Sequence, residues 1–235
     1  MQTDKSLKDH IRNGTESDLK LALEKMQERF LEVSNWVIEN KERNNENLAL
    51  YNLFSSVIQY LRVLYISINE NISILALSTR SLYELNLTIR SVLENSENFN
   101  SWCSEAITDK IQILEGILGI QTISSMSKQR EILEAEIERL KSIRDRHNLP
   151  AIKSPASAGQ IAKELGLSEE HKSLYKLFSK IVHPSSYLVS DYKNAASTEI
   201  KMILQIHAQI YALDSFSRIC THYNVPKELR DDVNT

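Results

Sequence analysis

Two pairs of side chains, each set four residues apart, mark where this sequence could do chemistry. Arg80 and Glu84 stand in the run Arg80-Ser-Leu-Tyr-Glu84, beside Ala76, Leu77, Leu82, Leu85 and Leu87. A helical step of four brings their heads onto one face. A guanidinium held there would bind phosphate or carboxylate bidentately. The plainer use is an intrahelical ion pair that cross-links a bundle. If that face is buried, neither charge can be left alone, because an unpaired buried ion is strongly destabilising. Ser179 and His183 share a strip of the segment Tyr175-Lys-Leu-Phe-Ser-Lys-Ile-Val-His-Pro-Ser-Ser-Tyr187. Pro184 pushes the residue before it out of the α region, so the spacing predicts a helix that ends at His183. There the macrodipole favours the charged imidazole, and a side chain that titrates near neutrality could move protons. A cap that hydrogen-bonds a neighbouring helix is the alternative. Ser179 and Ser185 lie close enough to join either arrangement.

These residues give His183 and Arg80 as catalytic candidates and Arg80, Glu84, Ser179 and Ser185 as ligand-binding candidates. Other chemistry has no support in the sequence. No Gly-rich phosphate loop precedes a helix, no His pair four apart accompanies a Glu, and no Gly-x-Ser-x-Gly elbow occurs. Cys103 and Cys220 are too far apart in sequence to suggest a zinc pair. No metal and no cofactor is therefore expected. The strip Arg144-Asp-Arg-His147 invites comparison with the HEPN ribonucleases, helical bundles that dimerise and carry an Arg followed by a His. The spacings here, Arg144 to His147 and Arg218 to His222, are too short for that motif.

The elements that must position these groups read as helices throughout. Five glycines and four prolines in 235 residues leave few turns, hence long helices. A short helix is predicted over Asp4 to Arg12. A second starts at Thr15-Glu-Ser-Asp18 and runs to about Asn40, with Leu19, Leu23, Met26, Phe30 and Val33 at three- and four-residue steps. The third carries a broad stripe from Leu48 to Tyr65, the mark of a central element. The fourth spans about Asn71 to Asn95, the fifth Trp102 to Ile120, and a charged one Ser125 to His147. Pro150 and Pro155 bracket a loop over 149–157. A short helix at Gly159 to Leu165 then leads to Gly166 as C-cap. The Ser179/His183 helix follows, then a loop from Pro184 to Asn194 and a last helix from Ala195 to about Tyr223. The expectation is an all-α bundle of seven to nine helices without a sheet. It forms a single domain over 1–235, with subdivision at the 149–157 loop as the alternative. Gln160-Ile-Ala-Lys-Glu-Leu-Gly-Leu-Ser is similar to the first helix of a helix-turn-helix. The helix after it, however, reads as apolar where base-reading polar groups should stand.

A net charge of −3 argues against a protein that coats nucleic acid, which needs a concentrated basic surface. Lys128, Arg130, Arg139 and Lys141 alternate with Glu131, Glu134, Glu136 and Glu138, as on a solvated helix. Two distant cysteines fit a reducing cytosol, no apolar leader opens the chain, and no stretch would cross a membrane. Ile200, Ile203, Leu204, Ile206, Ile210, Tyr211 and Leu213 exceed a single stripe of about 100°. The final helix is therefore either central or an interface. A homodimer through it, or through Leu48 to Tyr65, is the expected assembly, with a partner protein as the other choice.

Taken together, Arg80, Glu84, Ala162, Gly166, Tyr175, Ser179 and His183 resemble the pattern of an uncharacterised bacterial family of all-helical proteins. That family is catalogued as a domain of unknown function, and the resemblance spans about Asn45 to Ser190. It implies that Arg80, Glu84 and His183 converge in one site. The expected function is a helical interaction or regulatory module, of the sort found in bacterial stress or phage-defence systems. The alternative is a metal-independent ribonuclease or nucleotide-handling enzyme, in which Arg80 would stabilise a phosphate and His183 would move protons.

Overall fold

Caps fix where the helices begin. The computed structural model describes residues 11–12, 14–120 and 127–230. In it the Thr15 hydroxyl accepts from the Asp18 backbone N–H, and the Asp18 carboxylate accepts from the Thr15 backbone at 3.0 Å. This reciprocal box opens α1 (Glu16–Asn40). Asn44 caps α2 (Asn45–Ser67) by accepting from the Asn47 N–H. Then come α3 (Ile72–Glu94), α4 (Ser96–Leu118) and α5 (Ser127–Arg146). Next, α6 (Ala158–Glu164) and α7 (Ser168–Ile181) flank Gly166, whose φ of 72° is one that side-chain-bearing residues rarely adopt. The short α8 (Ser186–Ser190) and α9 (Tyr192–Ala195) lead into α10 (Thr198–Tyr223), and α11 (Lys227–Arg230) closes the described chain.

Eight of these helices have seven or more residues, and there is no strand among the described residues. The all-α class and the helix number follow the sequence. Three local readings change, and a fourth is untested. Most of the helix expected over Asp4 to Arg12 lies outside the described residues. α4 starts at Ser96, six residues before Trp102, because Asn95 accepts from the Asn98 N–H and caps a polar first turn. α7 stops at Ile181 with Val182 as its C-cap, so His183 lies past the helix end. The loop from Pro184 to Asn194 contains α8, which Ser185 caps through the Leu188 N–H.

The chain divides into two compact units. One takes the described residues up to Arg90 and those from Ala162 onward; the other is Ser91–Ile161. In the first, Phe30 of α1 stacks on Phe216 of α10 at 4.4 Å between ring centroids and on Phe54 of α2 at 5.5 Å. α10 is the central element, with Leu204, Ala208, Tyr211, Ala212, Leu213, Phe216 and Ile219 all buried. Of the apolar excess read in this helix, Leu204, Tyr211 and Leu213 are buried, Ile200, Ile206 and Ile210 are half-buried and Ile203 is exposed, while α2 has Val57, Leu61 and Leu64 fully buried. Leu48 and Ile66 of α2 and Met202 and Ile203 of α10 remain exposed. Thr79 donates to the Leu204 carbonyl of α10 at 3.3 Å, and Ser78 to the Tyr60 carbonyl of α2 at 2.8 Å. These bonds hold α3 against both helices.

In the second unit α5 packs on α4 through a narrow stripe that buries Ile137 and Leu140. The 149–157 loop lies within this unit and is tied to α4. Ser104 donates to the Pro150 carbonyl, Thr108 to that of Ile152 at 3.2 Å, and Glu105 accepts from the Ala156 N–H at 2.8 Å. The charged face of α5 is internally paired, Arg130 with Glu134, Arg139 with Glu136 and Lys141 with Glu138. No helix among the described residues is long and apolar enough to cross a membrane.

Candidate functional site

α3 presents Arg80, Tyr83 and Glu84 toward α7. Arg80 donates through Nε to Glu84 Oε1 at 2.9 Å and through Nη2 to the Tyr175 hydroxyl at 3.0 Å. Tyr175 in turn donates to the same Glu84 Oε1 at 2.5 Å, and the guanidinium lies 4.8 Å from the centre of the Tyr175 ring. The three groups form a closed triangle. The pair is half-buried, with side-chain exposures of 26% for Arg80 and 36% for Glu84, so the buried case raised from the sequence is met only in part. The reason is position: both sit at the edge of the α3 stripe, and Tyr175 covers them from one side only. The expected tie between this pair and α7 is present, through Tyr175.

The histidine of this cluster is His171, not His183. Its Nδ1 lies 3.1 Å from the hydroxyl of the buried Tyr83, and its ring sits 4.2 Å from that of Tyr175. Burial lowers its pKa, the Arg80 cation lowers it further, and Glu84 opposes them. Burial likewise raises the Tyr83 and Tyr175 phenols, so each stays protonated and can donate. Tyr211 of α10 packs edge-on against Tyr83 at 5.0 Å and donates to Glu170 Oε1 at 2.5 Å. Farther along α3, Asp214 Oδ2 accepts from Asn86 at 2.7 Å, Arg218 at 2.7 Å and Arg90 at 3.0 Å. Burial alone would raise the Asp214 carboxyl. The bonds from Arg218 and Asn86, with the charges of both arginines, outweigh that and hold it below the usual carboxylate range.

Of the catalytic and ligand-binding candidates read from sequence, the structure brings together Arg80 and Glu84 and leaves Ser179, His183 and Ser185 elsewhere. Ser179 is exposed on α7 and donates to the Lys176 carbonyl at 3.1 Å. Ser185 donates to the Lys180 carbonyl at 2.7 Å while capping α8. His183 is exposed, and no hydrogen bond, ion pair or ring contact joins it to Arg80 or Glu84 among the described residues. The convergence of Arg80, Glu84 and His183 is therefore replaced by one of Arg80, Glu84, Tyr175 and His171. A signal for His171 was present, since it stands four residues before Tyr175 and shares its helix edge. In the Asp214 hub only Arg218, four residues on, is a local signal; Asn86 and Arg90 come from α3, more than a hundred residues away.

A groove of about 420 Å³ lies at the α1–α2 turn, lined by Val37, Lys41, Arg43, Leu48 and Tyr51 among others. None of the Arg80 cluster lines it. No group of three or more His, Cys, Asp or Glu side chains among the described residues is arranged to hold a metal ion.

The geometry defines an all-helical protein with a half-buried Arg–Glu–Tyr junction where α7 meets α3. The chain belongs to the Family of unknown function (DUF5677), which it matches over residues 47–199. That span covers α3, α7 and every sequence-derived candidate. No curated protein and no solved structure matches the chain.

Proposed function

We propose that this protein is a helical interaction module of regulatory type, with the Arg80–Glu84–Tyr175 junction setting the seat of α7 on α3. The observation that supports this reading is the closure of the junction. Glu84 Oε1 accepts from both Arg80 and Tyr175, and the guanidinium covers the phenol ring. A carboxylate and a guanidinium that satisfy each other are poorly placed to receive a reacting group, and well placed to fix one helix on another. The free thiols Cys103 and Cys220 support a reducing bacterial cytosol as the setting. The likeness to small helical bacterial proteins suggests a stress or phage-defence system.

One observation favours the enzymatic alternative, a metal-independent ribonuclease or nucleotide-handling enzyme. His171 is biased toward its neutral form and sits beside Arg80, which is how a general base and a phosphate-binding cation are arranged. The test is turnover. The purified protein, in excess chelator, is incubated with labelled RNA and with nucleoside triphosphates, alongside His171→Gln and Arg80→Ala. The module reading expects no turnover by any of the three. Turnover by the parent that vanishes in a folded His171→Gln protein would replace it with the enzyme reading.

A further inference from the structure

The segment that carries Ser179, His183 and Ser185 has a feature of its own. From His171 to Ser190 the chain holds three lysines, two histidines and five serines, and no Asp or Glu. This is notable in a chain with 31 acidic residues and a net charge of −3. Lys172, Lys176 and Lys180 recur at steps of four along α7, and all three are exposed. At 100° per residue they fall, with exposed Ser173 and Ser179, in an arc of about 120° opposite buried Phe178. The sequence reading of this helix as apolar holds for its inner face alone. None of the three lysines makes an ion pair among the described residues, whereas the lysine and arginines of α5 noted above are paired with glutamates. Immediately beyond, where α8 packs against α7, Tyr187 and Tyr192 are 41% and 49% exposed, and Lys193 is exposed between α8 and α10.

We propose that the outer face of α7, with the adjoining α8–α9 segment, binds single-stranded nucleic acid. Lys172, Lys176 and Lys180 would neutralise successive phosphates, and Tyr187 and Tyr192 would stack on bases. The inference rests on the module reading and names its partner. Unpaired lysines about 6 Å apart along a helix make a track for a negatively charged backbone. Exposed phenol rings beside such a track are the sequence-tolerant stacking platforms of single-strand binders. Two features argue against the other polyanions. A duplex reader inserts the N-terminal turn of its recognition helix into the major groove, and here that turn carries Glu169 and Glu170. A membrane-surface helix needs a free apolar face, and the apolar face of α7 is occupied by Leu174, Phe178 and Ile181 in the core.

The test uses the full chain and fluorescence anisotropy with labelled 20-nucleotide poly(U) and poly(dT), a blunt duplex of the same length, and phosphatidylserine vesicles. The expected result is single-strand binding with a log–log salt slope of about −2, from three phosphates at about −0.7 each. Lys172→Glu/Lys176→Glu/Lys180→Glu should weaken it at least tenfold and flatten the slope. Tyr187→Ala/Tyr192→Ala should weaken it severalfold without changing the slope. Lys110→Glu/Lys128→Glu/Lys153→Glu, with the same charge change at exposed sites of the other unit, should bind like the parent. Circular dichroism verifies the fold of each variant. No single-strand binding up to about 100 μM, tighter binding to duplex or vesicles, or equal losses in both lysine triples would overturn the proposal. Cleavage of the bound strand that still depends on the three lysines would keep this inference and remove the module reading on which it was built.

Discussion

Glu84 Oε1 and Tyr175 Oη decide how the α3–α7 seam responds to change. A fully buried pair would lose several kcal/mol on removal of one partner, but this pair is half-exposed, so the stranded Arg80 can recruit water. Glu84→Ala is therefore expected to cost about 1–2 kcal/mol, and Tyr175→Phe about 1 kcal/mol, for a hydroxyl that both donates and accepts. Urea melts of the two variants and their double check both numbers. A double costing the simple sum would show that the triangle is not one cooperative unit. His171 adds a pH dependence whose sign is fixed by its lowered pKa. Above the ordinary value of 6.5 both folded and unfolded forms are neutral there, and the group contributes nothing. As pH falls below 6.5 the unfolded chain takes up the proton first, so folded stability declines until the folded pKa is passed. His171→Gln should accordingly show a smaller drop in melting temperature between pH 7.5 and 5.5 than the parent. Cys220 offers a separate check on packing. Burial pushes its thiol up to about 12, so a disulfide reagent should leave it unmodified in the native protein and titrate it after unfolding.

At the scale of the elements, Gly166 is the sharpest test. It stands between α6 and α7 at φ 72°, and a Cβ built there meets nothing within 4 Å. Gly166→Ala should cost about 1 kcal/mol, entirely through the backbone. A loss several times larger in a thermal melt would mean that the α6–α7 turn has a packing role the geometry does not show. The same turn marks how far the sequence could be read. Gly166 as a C-cap, Thr15–Asp18 as a start and the four-residue step of Arg80 and Glu84 are local signals, written in the residues that carry them. The early start of α4 is not legible because Ser96 to Asn100 holds a single apolar residue, Phe99, and shows no periodicity, so only its Asn95 cap announces it. Misreading His183 had a different cause. Pro184 does bar His183 from the α region, but where α7 stops, two residues earlier, depends on contacts the sequence does not display. Tyr175 was visible as a motif position, yet its role as the third corner of the Arg80 triangle needs the packing of α7 on α3.

For the molecule as a whole, the Phe30–Phe54–Phe216 stack joins α1, α2 and α10 and is the core of the first unit. Phe216→Ala should cost about 3–5 kcal/mol, as expected for an aromatic ring lost from a core that cannot collapse onto the gap. A shift in melting temperature of only a degree or two would place that core elsewhere. Because α10 supplies so much of the buried surface, the order of synthesis matters. Roughly 100 residues separate the end of α3 from the start of α10. At roughly 10 residues per second, a ribosome takes about ten seconds to cross that interval. During it the emerging α1 and α2 lack the helix that covers Phe30 and Phe54, and before it ends Ser91–Ile161 has been made and can fold. The nascent chain thus exposes the apolar faces of its first helices before α10 is made to cover them. A fragment ending at Ile161 should bind a hydrophobic dye and a holdase chaperone, and the full-length chain should bind neither.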